Sequence, residues 1–137
     1  MLKPNHVALM LSIFASTAHM LSAHAGYANS IFINQQNATR CAFIWGNSAL
    51  DALEHSSRST QGSVSVEDIQ ATIILSFVVF NLEGFTTRFR ALTSRAVTMA
   101  RDLSLHRLDA DTHKQDDSLA GLEINRRIWW HIASTDW

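Results

Sequence analysis

The sequence has few residues that could form a covalent framework or a zinc site. Its 137 residues include one cysteine, Cys41. A single cysteine forms no internal disulfide, and a structural zinc site requires four ligands, mostly cysteine and histidine. The sequence therefore excludes a disulfide-stabilised fold and a cysteine-based zinc site within this chain.

Charged residues are also scarce. They make up 17% of the chain, whereas an average soluble domain has about 25%. The net charge is −1, so there is no electrostatic case for nucleic-acid binding, which needs a basic face. Hydrophobic residues reach 47%, and the length fits one domain with a core. With so few charged residues and so many apolar ones, the helices have little polar surface to face water. We therefore predict that part of what they pack against is missing from this chain.

Catalytic and metal-binding motifs are missing as well. The chain has no Gly-x-Ser-x-Gly elbow and no glycine-rich phosphate loop. Its seven histidines form no group of convergent ligands, and His19 and His24 do not have the i, i+4 spacing of one helix face. The segment that starts at Asp109 resembles a calcium loop, but Lys114 and Ala120 replace its glycine and glutamate. We therefore predict no enzymatic activity and no metal or cofactor bound to this chain.

The N-terminus allows two interpretations. Lys3 precedes an apolar run over residues 7–15, and residues 23–25 resemble a signal-peptidase site, which together outline a secretory signal. Residues 37–39 also form a glycosylation sequon. Polar residues interrupt the run, however, and Pro4 is a favourable helix start. A small secreted helical protein remains the alternative hypothesis. No run reaches the ~18 apolar residues of a membrane span.

Hydrophobic periodicity predicts an all-α fold of about five helices. We expect helices over residues 5–22, 40–54, 65–82, 86–105 and 119–135, with connections over 26–37, 56–63 and 108–117. The third helix has the clearest start, because Ser65 and Asp68 can form a capping box and Val64 and Ile69 a hydrophobic staple. It is apolar nearly all round, which predicts a central helix that ends at Gly84. A buried strand over residues 73–80 is the competing interpretation, but length and the cap favour a helix.

The last two helices carry the most specific patterns. The apolar stripe of the fourth helix consists of Phe89, Leu92, Ala96, Met99, Ala100 and Leu103. His106 and Arg107 then complement the dipole at its C-terminus. In the fifth helix we expect Trp129 and Trp130 to be packing anchors. Arg126 and Arg127 would pair with Glu123, the acidic loop or Asp136. A basic-aromatic surface for nucleic acid is the alternative, and the charge balance disfavours it.

Two of these segments resemble a known family. Residues 96–107 read Ala-Val-Thr-Met-Ala-Arg-Asp-Leu-Ser-Leu-His-Arg, and residues 123–130 read Glu-Ile-Asn-Arg-Arg-Ile-Trp-Trp. They are similar to the regulatory, or middle homology, domain of fungal zinc-cluster transcription factors, also named after the activators of xylanase genes. The residues that carry the resemblance are Ala96, Ala100, Arg101, Leu103, Leu105, His106, Arg107, Glu123, Arg126, Arg127, Trp129, Trp130 and Asp136. Ser104 stands where the family usually has glycine.

The resemblance implies a nuclear regulator of transcription. Residues 1–137 would be the N-terminal, incomplete part of its regulatory and interaction domain. DNA binding and zinc would belong to a six-cysteine cluster that this chain does not contain. The expected partners are the remainder of the same regulatory domain, coregulator proteins or a homodimer partner, with DNA contacted only through the missing cluster and no membrane association.

Overall fold

A computed structural model describes residues 2–24, 26, 30–59, 63–108 and 118–135. The helices of this part of the chain are α1 (Pro4–Ser22), α2 (Gln35–Ser59), α3 (Val66–Glu83), α4 (Thr87–Asp102) and α5 (Leu119–Thr135). A short 3-10 turn, Leu105–Arg107, follows α4. None of the described residues forms a strand, which confirms the predicted all-α fold of five helices.

Helices α1 and α2 run antiparallel and pack through small residues. Gln35 at the start of α2 donates to the backbone carbonyl of Ser22 at the end of α1, and the Phe14 and Trp45 rings meet further along. The residues fully buried here include Ala8, Ser12, Ala15, Ala18, Ala38, Ala42 and Ala49. Such short side chains let the two backbones approach closely.

The buried face of α1 bears on the two interpretations of the N-terminus. Ala8, Ala15 and Ala18 have no exposed surface, and Ala8 belongs to the same core cluster as Leu53 and Leu75. Removing this helix as a signal peptide would expose that cluster to water. This packing favours α1 as part of the folded domain over a cleaved signal.

Helix α3 lies at the centre of the molecule and begins as predicted. The Ser65 hydroxyl accepts from the backbone N–H of Asp68 at 3.2 Å, and the Asp68 carboxylate accepts from the backbone N–H of Ser65 at 3.1 Å. Asn5 of α1 donates to the same hydroxyl at 3.0 Å and so ties the two helix starts together. Gly84 ends the helix at φ +80°, a conformation that glycine adopts without steric cost.

Two apolar clusters form the core, and both include residues of α3. The first cluster joins α1, α2, α3 and α4 and consists of Ala8, Ala49, Leu53, Ala71, Leu75, Val79 and Leu92. The second cluster joins α3, α4, the 3-10 turn and α5 and consists of Ile69, Ala96, Met99, Ala100, Leu105, Ile128 and Ile132. The predicted stripe of α4 supplies residues to both clusters.

The bounds of α2 differ from the prediction of 40–54. The helix begins at Gln35, where the Asn34 side chain accepts from the backbone N–H of Asn37 at 2.8 Å. It continues to Ser59, so the expected linker over 56–63 is wrong at its start, and Ser56 is buried. The hydroxyls of Ser57 and Ser59 bond to carbonyls of the preceding turn. The predicted loop over 26–37 is likewise wrong at its last three positions, and the described residues Gly26, Ser30 and Ile31 are also helical.

Candidate functional site: the two packed motif segments

The first motif segment ends helix α4 earlier than predicted. Ala96 and Ala100 are buried on its inner face, while Arg101 is exposed. The helix ends at Asp102, and not at residue 105, because Ser104 adopts the left-handed conformation with φ 57°. His106 and Arg107 therefore lie in the separate 3-10 turn and do not extend the last turn of α4.

The left-handed backbone at Ser104 gives a physical reason for glycine at this point of the motif. A residue with a Cβ atom pays a steric cost in this region, and glycine does not. The reversal brings Leu105 back against the core, where it is 3% exposed and belongs to the second cluster with Ala96 and Ala100. The serine therefore keeps the turn of the motif, and we expect it to strain that turn locally.

The second motif segment packs directly on the first. Ile128 and Ile132 of α5 are buried in the second cluster beside Ala96, Ala100 and Leu105. Trp129 packs against this cluster, and its ring centroid lies 5.9 Å from that of His106. Leu103 also contacts the cluster, and Leu122 is partly buried. The fold thus brings together two motifs that are separated along the sequence.

Trp130 lies on the side of α5 opposite to Ile128, so the prediction that it is a packing anchor is wrong. Its exposed fraction is 65%. The helical repeat places it about 160° from Ile128, because two positions correspond to 200°. The only part of α5 buried in the described structure is the Ile128 and Ile132 face. Trp130 therefore contributes little to the core and presents a large apolar surface to solvent.

Exposed charges accompany Trp130 on this outer face. The Glu123 carboxylate accepts from Arg127 Nε at 2.8 Å and from Arg126 Nη1 at 3.1 Å. These hydrogen bonds, first from Arg127 and then from Arg126, lower the pKa of Glu123. The Arg127 side chain is 79% exposed, so this is a surface interaction. The acidic loop and Asp136, which we also expected to pair with the arginines, lie outside the described residues.

The described residues do not assemble a reactive site. They contain no group of three or more His, Cys, Asp or Glu that could hold a metal ion. A shallow groove between α2 and α3 is lined by apolar residues such as Ala42, Leu75 and Val78. Glu83 and Arg88 at its rim pair with each other at 2.9 Å. No helix in this part of the chain has the length and apolarity to cross a bilayer.

Comparison with known proteins connects this packed pair of motifs to a family. The fungal specific transcription factor domain matches residues 1–136. The probable transcription factor lepB of Aspergillus flavus is 62% identical over 99% of this chain and 25% of its own length. The transcription factor TAS2 of Pyricularia oryzae is 39% identical over 98% of this chain and 17% of its own length.

A third relative extends the same pattern. The agnestins biosynthesis cluster transcription factor AgnL11 of Paecilomyces divaricatus is 35% identical over 97% of this chain and 19% of its own length. The chain thus spans a quarter or less of the curated relatives it matches. No solved structure matches. With the domain matched across the two motif segments and the α1–α2 pair, this chain belongs to the fungal specific transcription factor domain family.

Proposed function

We propose that this chain is the N-terminal part of the regulatory and interaction module of a nuclear fungal transcription factor. The packing of the two motif segments into one cluster, with His106 against Trp129, is the observation that carries the proposal. Ala96, Ala100 and Leu105 are the motif residues buried in this cluster, where they hold α4, the 3-10 turn and α5 together. In this proposal the unit holds or releases an activating segment of the full-length protein.

DNA binding and zinc binding belong, in this proposal, to a six-cysteine cluster in another part of the full-length protein. One cysteine and a net charge of −1 support this assignment. Metal analysis of the purified chain and a salt-titrated assay with duplex DNA test it. We expect substoichiometric zinc and only weak, salt-sensitive DNA binding. Stoichiometric zinc, or specific binding tighter than about micromolar at physiological salt, would contradict the proposal.

The remainder of the regulatory domain is the partner that we propose for the uncovered apolar surface. Phe77 and Phe80 of α3 are 43% and 44% exposed, and Phe85 is 64% exposed. The rings of Phe80, Phe85 and Phe89 contact one another and form a continuous aromatic patch. Contiguous exposed apolar surface of this kind marks interaction sites or causes association.

Light scattering of two proteins tests this inference. We expect the 137-residue chain to self-associate and a version extended to the length of the relatives to be less prone to do so. A monomeric short chain that unfolds cooperatively would mean that residues 1–137 already form a complete domain. A homodimer of defined size in both proteins would favour a second copy as the partner.

A reporter experiment tests the regulatory role. The extended chain is fused between a heterologous DNA-binding domain and a strong activation domain, and reporter output is compared with that of the same fusion carrying Leu75→Asp. Leu75 is fully buried, so this variant disrupts the fold. We expect the folded module to change reporter output and the disrupted one not to do so. Equal output from both, at equal protein levels and nuclear accumulation, would refute a regulatory role.

A further inference from the structure

Arg95 of α4 contacts the last turn of α2. Its Nη2 atom donates to Ser57 Oγ at 2.5 Å and lies 3.5 Å from the backbone carbonyl oxygen of Leu53. Ser57 and Arg95 are 38 positions apart in the sequence. Helices α2 and α4 both pack on α3, and residues of both lie in the first cluster. The Arg95 contact adds a direct polar link between them.

The partner of this guanidinium is unusual. Arginine presents a planar set of donors that matches carboxylate and phosphate groups. Among the described residues, Arg95 pairs with no carboxylate, and a neutral hydroxyl accepts its hydrogen bond. A positive charge is thus held against a serine oxygen that could itself carry an anionic group.

Ser57 is also accessible to a modifying enzyme. Its residue is exposed and lies two positions before the end of α2 at Ser59, where helix turns fray. The neighbouring Ser56 is 1% exposed and is not accessible in the folded chain. Of these two serines, only Ser57 combines exposure with contact to a cation from another helix.

We propose that Ser57 is a phosphorylation site and that Arg95 binds the resulting phosphate. A protein kinase transfers the γ-phosphoryl group of a nucleoside triphosphate to Ser57 Oγ. The O–P bond to the serine forms as the bond to the nucleoside diphosphate breaks, and the hydroxyl proton passes to the kinase's base. The product is a dianionic phosphoserine that faces the Arg95 guanidinium.

Because of where Ser57 lies, its phosphorylation has two opposing effects on the stability of the chain. A negative charge at a helix C-terminus is unfavourable, because the free carbonyls already carry negative partial charge. Charge-assisted hydrogen bonds from Arg95 offset this effect and hold α2 against α4. Whether phosphorylation raises or lowers the free energy of unfolding therefore depends on Arg95. This phosphate clamp does not depend on the regulatory role proposed above.

Site-specific incorporation of phosphoserine into the full chain tests the clamp. We expect phosphoserine at position 57 to raise the melting temperature by about 2–4 °C, the shift that ~1 kcal/mol produces in a domain of this size. In an Arg95→Gln background the same phosphoserine should lower it. Phosphoserine at position 59 is the matched control, since Ser59 lies in the same turn and its hydroxyl bonds, among the described residues, only to the Ser56 carbonyl. It should lower the melting temperature in both backgrounds.

The outcomes separate clearly. Equal destabilisation by phosphoserine at positions 57 and 59 would overturn the clamp, as would an effect that Arg95→Gln leaves unchanged. Arg95→Lys, which keeps the charge but loses the planar donors, should restore part of the stabilisation. If Arg95→Gln does not fold, the melting temperatures of Arg95→Lys with and without phosphoserine at position 57 are compared with those of the unsubstituted chain.

Use of the site in cells is tested by mass spectrometry of the chain expressed in a filamentous fungus with phosphatase inhibitors. We expect fragment ions that place phosphate on Ser57 and not on Ser56. Their absence at full peptide coverage would overturn the assignment of Ser57 as a modification site.

Discussion

Trp129 and Trp130 are adjacent in the sequence but have opposite surroundings, so they make a matched pair of variants. Trp129 packs against the second cluster and His106, whereas Trp130 is 65% exposed. Removing a fully buried tryptophan costs about 3–5 kcal/mol. Because Trp129 is only partly buried, we expect Trp129→Ala to lower the free energy of unfolding by about 2–4 kcal/mol. Trp130→Ala should change it by no more than about 0.5 kcal/mol.

Urea unfolding followed by circular dichroism measures both variants. Circular dichroism is preferable to fluorescence because each variant removes one of the four tryptophans that give the fluorescence signal. The measurements belong at protein concentrations where light scattering detects monomer, since association would otherwise add to the apparent stability. If the slope of the unfolding free energy against urea concentration is unchanged, the variant differs in stability and not in the compactness of its folded state.

Two results would refute the reasoning. If Trp130→Ala destabilises the chain as much as Trp129→Ala, the outer face of α5 is packed and not exposed. If Trp129→Ala leaves the unfolding midpoint unchanged, the two motif segments do not depend on this ring for their contact. With the expected result, Trp130 becomes the stronger candidate for an interface residue, because exposed tryptophan is enriched among residues that dominate binding.

Three further variants test local features. Ser104→Gly should stabilise the chain by about 0.5–1 kcal/mol in thermal melts. Glycine relieves the strain of the left-handed backbone, and the entropy that it adds to the unfolded state offsets only part of this gain. A loss of stability would contradict the left-handed conformation at this position. Ser65→Ala should destabilise the chain by about 1 kcal/mol, because the Asp68 N–H loses the hydroxyl that caps it. An unchanged melting temperature would mean that the capping box is not formed in solution. The hydrogen bonds from Arg127 and Arg126 lower the pKa of Glu123, which gives a small stabilisation at pH values above the ordinary pKa of a glutamate. This stabilisation is lost as the pH falls through the lowered pKa. Glu123→Gln should remove this dependence on acidic pH, and an identical pH profile would indicate that the Arg127 contact does not persist.

Signals confined to a few neighbouring residues were sufficient to predict much of the fold. The Ser65 and Asp68 pair specifies the start of α3 because both partners lie within one turn. The apolar stripe of α4 predicted which face is buried, because the 3.6-residue repeat fixes that face independently of the neighbours. Leu92, Ala96 and Ala100 are all buried as expected.

Features that depend on distant residues could not be predicted in the same way. The last turn of α2 is rich in serine, which is typical of linkers, yet its end contacts Arg95 of a helix much further along the chain. Whether a tryptophan is buried depends on which elements cover its helix. Periodicity alone could have separated Trp130 from Ile128 and Ile132, but it could not show that only one face of α5 is covered.

Helices α3 and α4 both supply buried residues to the two clusters, and Ile69 and Leu75 of α3 have no exposed surface. Ile69 packs in the second cluster with the motif segments, while Leu75 and Val79 lie in the first with α1 and α2. The exposed rings of Phe77 and Phe80 lie on the same helix, and the Phe77 ring is 5.4 Å from that of His131 in α5. A partner helix that covers these rings would therefore contact a helix that both clusters share and the edge of α5. We therefore expect binding there to bury residues beside both clusters, whereas a partner bound at Trp130 alone would cover only the outer face of α5.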